Sequence, residues 1–147
     1  MKISTKGRYA TRAMLELALR GGSTPILLKD ISARQNIPLR YLEQIVSPLI
    51  AAGLIHSTRG RRGGVLLAKK PAEIRLIEIV QALEGPIEPV GCVGNPGLCT
   101  RAPSCATRDV WSDLAQAMRR VLEGATLQDL VERQKRKETG KELVYDI

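Results

Sequence analysis

Residues 36–68, NIPLRYLEQIVSPLIAAGLIHSTRGRRGGVLLA, carry the reading on which the fold turns. Within them Leu42, Ile45, Val46 and Leu49 recur at helical spacing and form one apolar face. Arg40, Glu43, Gln44 and Ser47 repeat that spacing two residues earlier, so a polar stripe faces the other way. The helix is expected over about 39–52, with Pro38 in its first turn, a bend at Pro48 and Gly53 at its end. Leu54–Thr58 and Val65–Ala68 read as the two strands of a hairpin. Its tip, Arg59-Gly60-Arg61-Arg62-Gly63-Gly64, holds three arginines and three glycines.

Upstream, Lys29–Gln35 reads as a short helix that Asn36-Ile37-Pro38 breaks. Ile26–Leu28 is expected to be extended. Before it, Ser4 or Thr5 caps a helix that runs to Arg20 and stops at Gly21-Gly22. Ala10, Ala13, Met14, Leu17 and Ala18 form its inward stripe. Helix, short helix, tight turn, helix and basic hairpin, in that order, predict a winged helix-turn-helix. The helix-turn-helix spans about 28–52 and the wing about 54–68. The outer stripe puts Glu43 and Gln44 at base edges, where glutamate accepts from a cytosine amine and glutamine reads adenine. Arg40 and Tyr41 are expected to orient the helix on phosphate, with Arg61 and Arg62 on phosphate from the wing. The wing glycines are expected to let its backbone approach the duplex closely.

Downstream, a helix is expected from Pro71 to Glu84, closed by Gly85. Residues 86–106, PIEPVGCVGNPGLCTRAPSCA, are rich in Pro, Gly and Cys and read as irregular. From Thr107 to about Glu123, Val110, Trp111, Leu114, Ala117, Met118, Val121 and Leu122 cover more than half of a helix. So wide an apolar face wants two neighbours, and a partner subunit is one candidate. Thr126 caps a last helix to about Arg136. The organisation is therefore a mainly α chain with a winged DNA-binding unit (1–84), a cysteine loop (85–106), a dimerisation helix with a terminal helix (107–136) and a flexible tail (137–147).

Composition narrows the partners. Of 147 residues, 44% are hydrophobic and 26% charged, too apolar for intrinsic disorder. With no Phe, three Tyr and one Trp, the core must be aliphatic, and the composition argues against the aromatic stacking platforms of single-stranded nucleic-acid binders. The net charge of +8 is concentrated in residues 1–90, which carry 14 basic and 7 acidic residues. A polyanion, most simply duplex DNA, is the expected partner. No apolar run reaches membrane-spanning length, and MKISTKGRYA lacks a secretory core, so a cytoplasmic protein without a membrane partner is expected.

Cys92, Cys99 and Cys105, the chain's three cysteines, fall within 14 residues as Cys-x6-Cys-x5-Cys. An odd count in a reducing compartment argues against a disulfide framework. Clustered thiolates suit zinc or an iron–sulfur cluster, though the spacing matches neither zinc ribbons nor ferredoxins. The sole histidine, His56, lies on a wing strand far from them. With one histidine, no Walker loop and no dinucleotide motif, neither an enzyme nor a small-molecule substrate is expected.

Lys2-Ile3-Ser4-Thr5-Lys6-Gly7-Arg8-Tyr9-Ala10, Tyr41-Leu42-Glu43-Gln44, Arg59-Gly60 with Gly63-Gly64, and the three-cysteine loop together resemble the IscR/NsrR/CymR family of bacterial winged-helix regulators. The resemblance covers about residues 1–136 and leans to the IscR branch. It implies a homodimer on palindromic operator DNA, paired through the long C-terminal helix, that senses an iron–sulfur cluster (2Fe-2S or 4Fe-4S) on its cysteines. It adds Arg59 as a minor-groove contact and brings Lys6 and Arg8 into the DNA-contacting set. Two positions depart from the pattern: Arg108 stands where the IscR branch has a histidine ligand, and Arg8 where the NsrR branch has an acidic one. The fourth ligand is therefore open among Asp109, Thr107, a partner-subunit group, an exogenous thiol or water. Two rivals remain: a cluster-free regulator governed by a partner protein, as in the CymR branch, and a zinc or thiol-redox regulator.

Overall fold

The computed structural model describes residues 2–145, with side chains described to residue 141. Helix α1 spans Thr5–Arg20, capped by the Ser4 hydroxyl, which accepts from the Gly7 amide, and closed at Gly21. Helices α2 (Leu28–Gln35) and α3 (Leu39–Ala51) follow. Between them Asn36 takes a left-handed conformation, φ +51°, which makes the turn tight. Strands β1 (Ile55–Thr58) and β2 (Gly64–Leu67) pair antiparallel, with Ile55 opposite Leu67 and Thr58 opposite Gly64. The mainly α, winged helix-turn-helix fold is thus present, with the expected elements within about two residues of their expected bounds in this half.

The core is aliphatic, as the composition requires. Met14 of α1, Ile31 of α2, Leu42 and Ile45 of α3, and Leu54 and Ile55 at the wing are all buried together. Burial of each such side chain contributes roughly 1.5–3 kcal/mol.

Several features differ from the sequence reading. The expected Pro71–Glu84 helix is split into a single 3-10 turn (Pro71–Glu73) and α4 (Leu76–Glu84). The backbone between them is extended because it pairs with a distant segment. Leu127 N–H donates to the Ile74 carbonyl at 2.8 Å and Leu76 N–H to the Ala125 carbonyl at 2.9 Å. Residues 86–106 are also more ordered than expected. They hold the one-turn helix α5 (Gly91–Gly94) and two 3-10 turns, Pro96–Leu98 and Ala102–Ser104. Prolines open or occupy those turns, and the Asn95 side chain caps one by accepting from the Gly97 amide at 3.1 Å.

Helix α6 spans Ala106–Gly124 and α7 Leu127–Tyr145. Helix α7 continues nine residues past the expected end at Arg136, so residues 137–145 are helical where a flexible tail was expected. Residues 146 and 147 of that tail lie outside the described residues. The core also crosses the boundary expected at residue 84. Leu127 and Val131 of α7 are buried in the main cluster beside α1. A second, smaller cluster joins Ile77 and Val80 of α4 to Ile87, Met118 and Leu122.

Candidate nucleic-acid interface and cysteine loop

Helix α3 presents the polar stripe as the spacing requires. Arg40, Glu43, Gln44 and Ser47 are exposed, while Leu42, Ile45 and Leu49 are buried. Among the described residues, no side-chain hydrogen bond engages Glu43 or Gln44. Tyr41 is half-buried against the core, and its ring meets that of Tyr9 edge-on, centroids 5.4 Å apart at 80°. The Arg40 guanidinium lies over Tyr41 at 5.3 Å, and Arg12 lies over Tyr9 at 5.8 Å. This chain of two tyrosines and two arginines joins α1 to the start of α3. Lys6 shares the Tyr9 face of α1, three residues away, whereas Arg8 points about a quarter-turn aside. Both are exposed, and Arg8 donates to the Thr5 hydroxyl at 3.4 Å.

The sequence reading did not single out Tyr9, Arg12 or the network behind them. Glu16 is buried on the apolar face of α1. It accepts from Arg20 at 3.0 Å, Arg34 at 3.4 Å and the Gln35 amide at 2.8 Å. Arg12 in turn donates to the Gln35 carbonyl. An acidic residue between the inward positions Ala13 and Leu17 was the available signal, because a buried carboxylate demands partners.

Arg59, Arg61 and Arg62 are exposed on the hairpin tip, and His56 is exposed on β1. Two of the glycines behind them also have a role within the fold. A side chain at Gly63 would meet the Thr58 carbonyl oxygen at 2.6 Å, and one at Gly64 the Ile26 carbonyl oxygen at 2.4 Å. They let the wing close on itself and on the segment before α2, where Ile26 pairs with Val65.

The cysteines sit on successive turns. Cys92 lies in α5, Cys99 follows the 96–98 turn, and Cys105 precedes α6, each half-exposed. The Cys105 sulfur is 3.2 Å from the Thr107 hydroxyl. That contact, with the Arg108 and Thr107 backbone amides, holds its thiol below the usual range against slight burial and the Asp109 charge. Arg108 does not stand free: its Nε donates to the Cys92 carbonyl at 2.9 Å and ties α6 to α5. Three soft sulfur donors have the right chemistry for an iron–sulfur cluster. Among the described residues, however, no three His, Cys, Asp or Glu side chains converge as a metal-binding group.

Residues 3–133 match the sequence profile of Rrf2, described as an iron-dependent transcriptional regulator. The chain belongs to the Rrf2 family. The protein rrf2 of Nitratidesulfovibrio vulgaris is 42% identical over 131 residues, covering 89% of this chain and 87% of that protein. Among solved structures, the global cysteine regulator CymR of B. subtilis superposes with a TM-score of 0.76 at 41% identity, covering 90% of this chain and 98% of CymR. T. potens IscR superposes with a TM-score of 0.74 at 34% identity, covering 91% and 88%. This Rrf2-family chain is therefore a winged-helix transcriptional regulator, similar both to cysteine regulators and to IscR proteins. None of its helices, among the described residues, is long and apolar enough to cross a membrane.

Proposed function

We propose that this regulator is a cytoplasmic homodimer on palindromic DNA whose affinity is governed by an iron–sulfur cluster at Cys92, Cys99 and Cys105. One observation carries the reading: all three thiols lie on the segment joining α4, built into the winged unit, to α6, whose outer face is open. Val110 and Val121 of α6 are 58% and 71% exposed, while Met118 and Leu122 pack on α4. A second copy covering Val110, Trp111, Leu114 and Val121 removes that apolar surface from water. The likeness to IscR and the family's description support the cofactor.

On DNA, Glu43 and Gln44 read bases from α3 while Arg40 and the Tyr41 hydroxyl meet phosphate. Arg59 enters the minor groove from the wing. Arg61, Arg62, Lys6 and Arg8 contact the backbone. A bound cluster supplies cross-linking of the loop and sensitivity to iron supply and oxidants. The chain's own part is to hold the thiols on short turns, with Arg108 and Cys92 joining α5 to α6. A coupling of about 1–3 kcal/mol between loop and DNA suffices to change affinity 5- to 150-fold.

Anaerobically purified protein should be brown and contain iron and acid-labile sulfide. Alanine at Cys92, Cys99 or Cys105 should abolish both, and His56→Ala should spare them. Colourless wild-type protein overturns the reading. The unconverged thiols and the CymR likeness favour one alternative, a cluster-free regulator of sulfur metabolism controlled by a partner protein. Metal-free protein is its expected result, and stoichiometric zinc would point instead to a zinc or thiol-redox regulator.

A further inference from the structure

We propose that the cleft between the wing and α2 seats one phosphate of the DNA backbone, held by Arg20 and Arg34 together with Arg61 and Arg62. This rests on the wing lying against duplex DNA, and it extends the interface to two arginines that lie outside both the reading helix and the wing. The cleft has a volume of about 330 Å³, with the end of α1, the segment before α2, α2 itself and the wing tip as its walls.

Backbone pairing, not side-chain packing, sets its width. Ile26 N–H donates to the Val65 carbonyl, and Val65 N–H to the Ile26 carbonyl, both at 2.9 Å. That pair adds a rung to the wing and fixes the tip beside α2. The missing Cβ at Gly64 permits the approach, since the Ile26 carbonyl oxygen occupies its place.

Charge then selects the ligand. Four guanidinium groups border the cleft, against the carboxylates of Asp30 and the buried Glu16. One oxygen of Glu16 accepts from both Arg20 and Arg34, and the other is taken by Gln35. Arg20 uses only its Nε and Arg34 only one terminal nitrogen in these bonds. With side chains 42% and 40% exposed, they keep donors available to the cleft. Neither Arg61 nor Arg62 forms an ion pair among the described residues. A net excess of two positive charges in a concave site favours an oxyanion, and planar guanidinium donors match phosphate oxygens. A phosphodiester and a free phosphate share that chemistry. The wing tip's place on the duplex brings a phosphodiester to the mouth of the cleft.

The test is binding of the full-length dimer to a random-sequence duplex across a salt series. Arg34→Gln leaves Glu16 bonded to Arg20 and Gln35. It should lower the slope of log affinity against log salt by about one, with a roughly fivefold loss of affinity near physiological salt. Asp30→Asn removes an opposing charge and should raise affinity for every sequence, a gain that a damaged fold does not produce. A slope unmoved by Arg34→Gln, with affinity unmoved by Asp30→Asn, overturns the seat. So does saturable binding of inorganic phosphate to the DNA-free protein at constant ionic strength, abolished by Arg34→Gln while the DNA slope stays unchanged, which would assign the cleft to a free anion. Arg62→Ala separates the two levels of the argument: if it too leaves the slope unchanged, the wing interface itself is wrong.

Discussion

At the scale of single residues, the candidate DNA contacts apart from the half-buried Tyr41 are all exposed, and their place on α3 or on the wing sets the role proposed for each. Glu43 and Gln44 stand exposed on α3 and form no side-chain hydrogen bond among the described residues, which suits the proposed contact with base edges. Arg62 stands on the wing, where phosphate carries no sequence information. Glu43→Ala should therefore flatten discrimination among operator variants. Arg62→Ala should weaken all sequences alike and reduce the salt slope by about one. Competition binding at several salt concentrations checks both, and equal loss of specificity from the two substitutions would contradict the division. Tyr41 is less free than its neighbours in sequence suggest. Its ring is held between the core, Tyr9 and the Arg40 guanidinium.

At the scale of elements, caps and close approaches decide where chain segments begin and turn. Thr126 and Asp129 cap α7 reciprocally: Thr126 N–H donates to the Asp129 carboxylate at 2.8 Å, and Asp129 N–H to the Thr126 hydroxyl at 3.1 Å. The Thr126 backbone amide and hydroxyl hold the Asp129 carboxyl below its usual range. A carboxyl lowered on folding stabilises the fold above its unfolded pKa, and that stabilisation is lost as pH falls through the folded value. Asp129→Asn should accordingly lower the melting temperature at neutral pH, and the difference from wild type should vanish in strong acid. At the wing, Gly64 has φ +153°, and a Cβ there collides with backbone rather than with a movable side chain. Gly64→Ala should destabilise the protein by about 1–3 kcal/mol, read by urea unfolding. It should also disturb the Ile26–Val65 pair, read by amide exchange.

At the scale of the whole molecule, α6 and α7 play opposite parts. Helix α7 belongs to the main core through Leu127 and Val131, so a chain cut before Thr107 loses part of the winged unit's own interior. Truncation is consequently a poor probe of assembly. Paired charges on the open face of α6 are a better one. Val110→Glu with Val121→Glu should give a folded monomer in analytical ultracentrifugation, with melting little changed and operator affinity sharply reduced, because two half-sites then bind independently. An unchanged dimer would place the interface elsewhere.

Local periodicity by itself determined the winged unit. The stripe of α1, the two stripes of α3, the Gly53 stop and the basic hairpin each depend on residues a few positions apart, which is the range over which helix and turn preferences act. The same locality made Glu43, Gln44 and the wing arginines legible as exposed side chains, and the three cysteines legible as neighbours on one segment. Tertiary structure alone decided the rest. Pairing with residues 125–127 split the helix expected after Pro71, because a backbone group bonded to a distant segment cannot also serve a helical ladder. The same pairing carried α7 into the core, across a boundary that composition suggested at residue 84. Glu16 and Arg20 are neighbours through the i,i+4 spacing of α1, but Arg34 joined them only when α1 packed on α2. No spacing along one helix encodes such a meeting, since it depends on how two faces close over shared apolar surface.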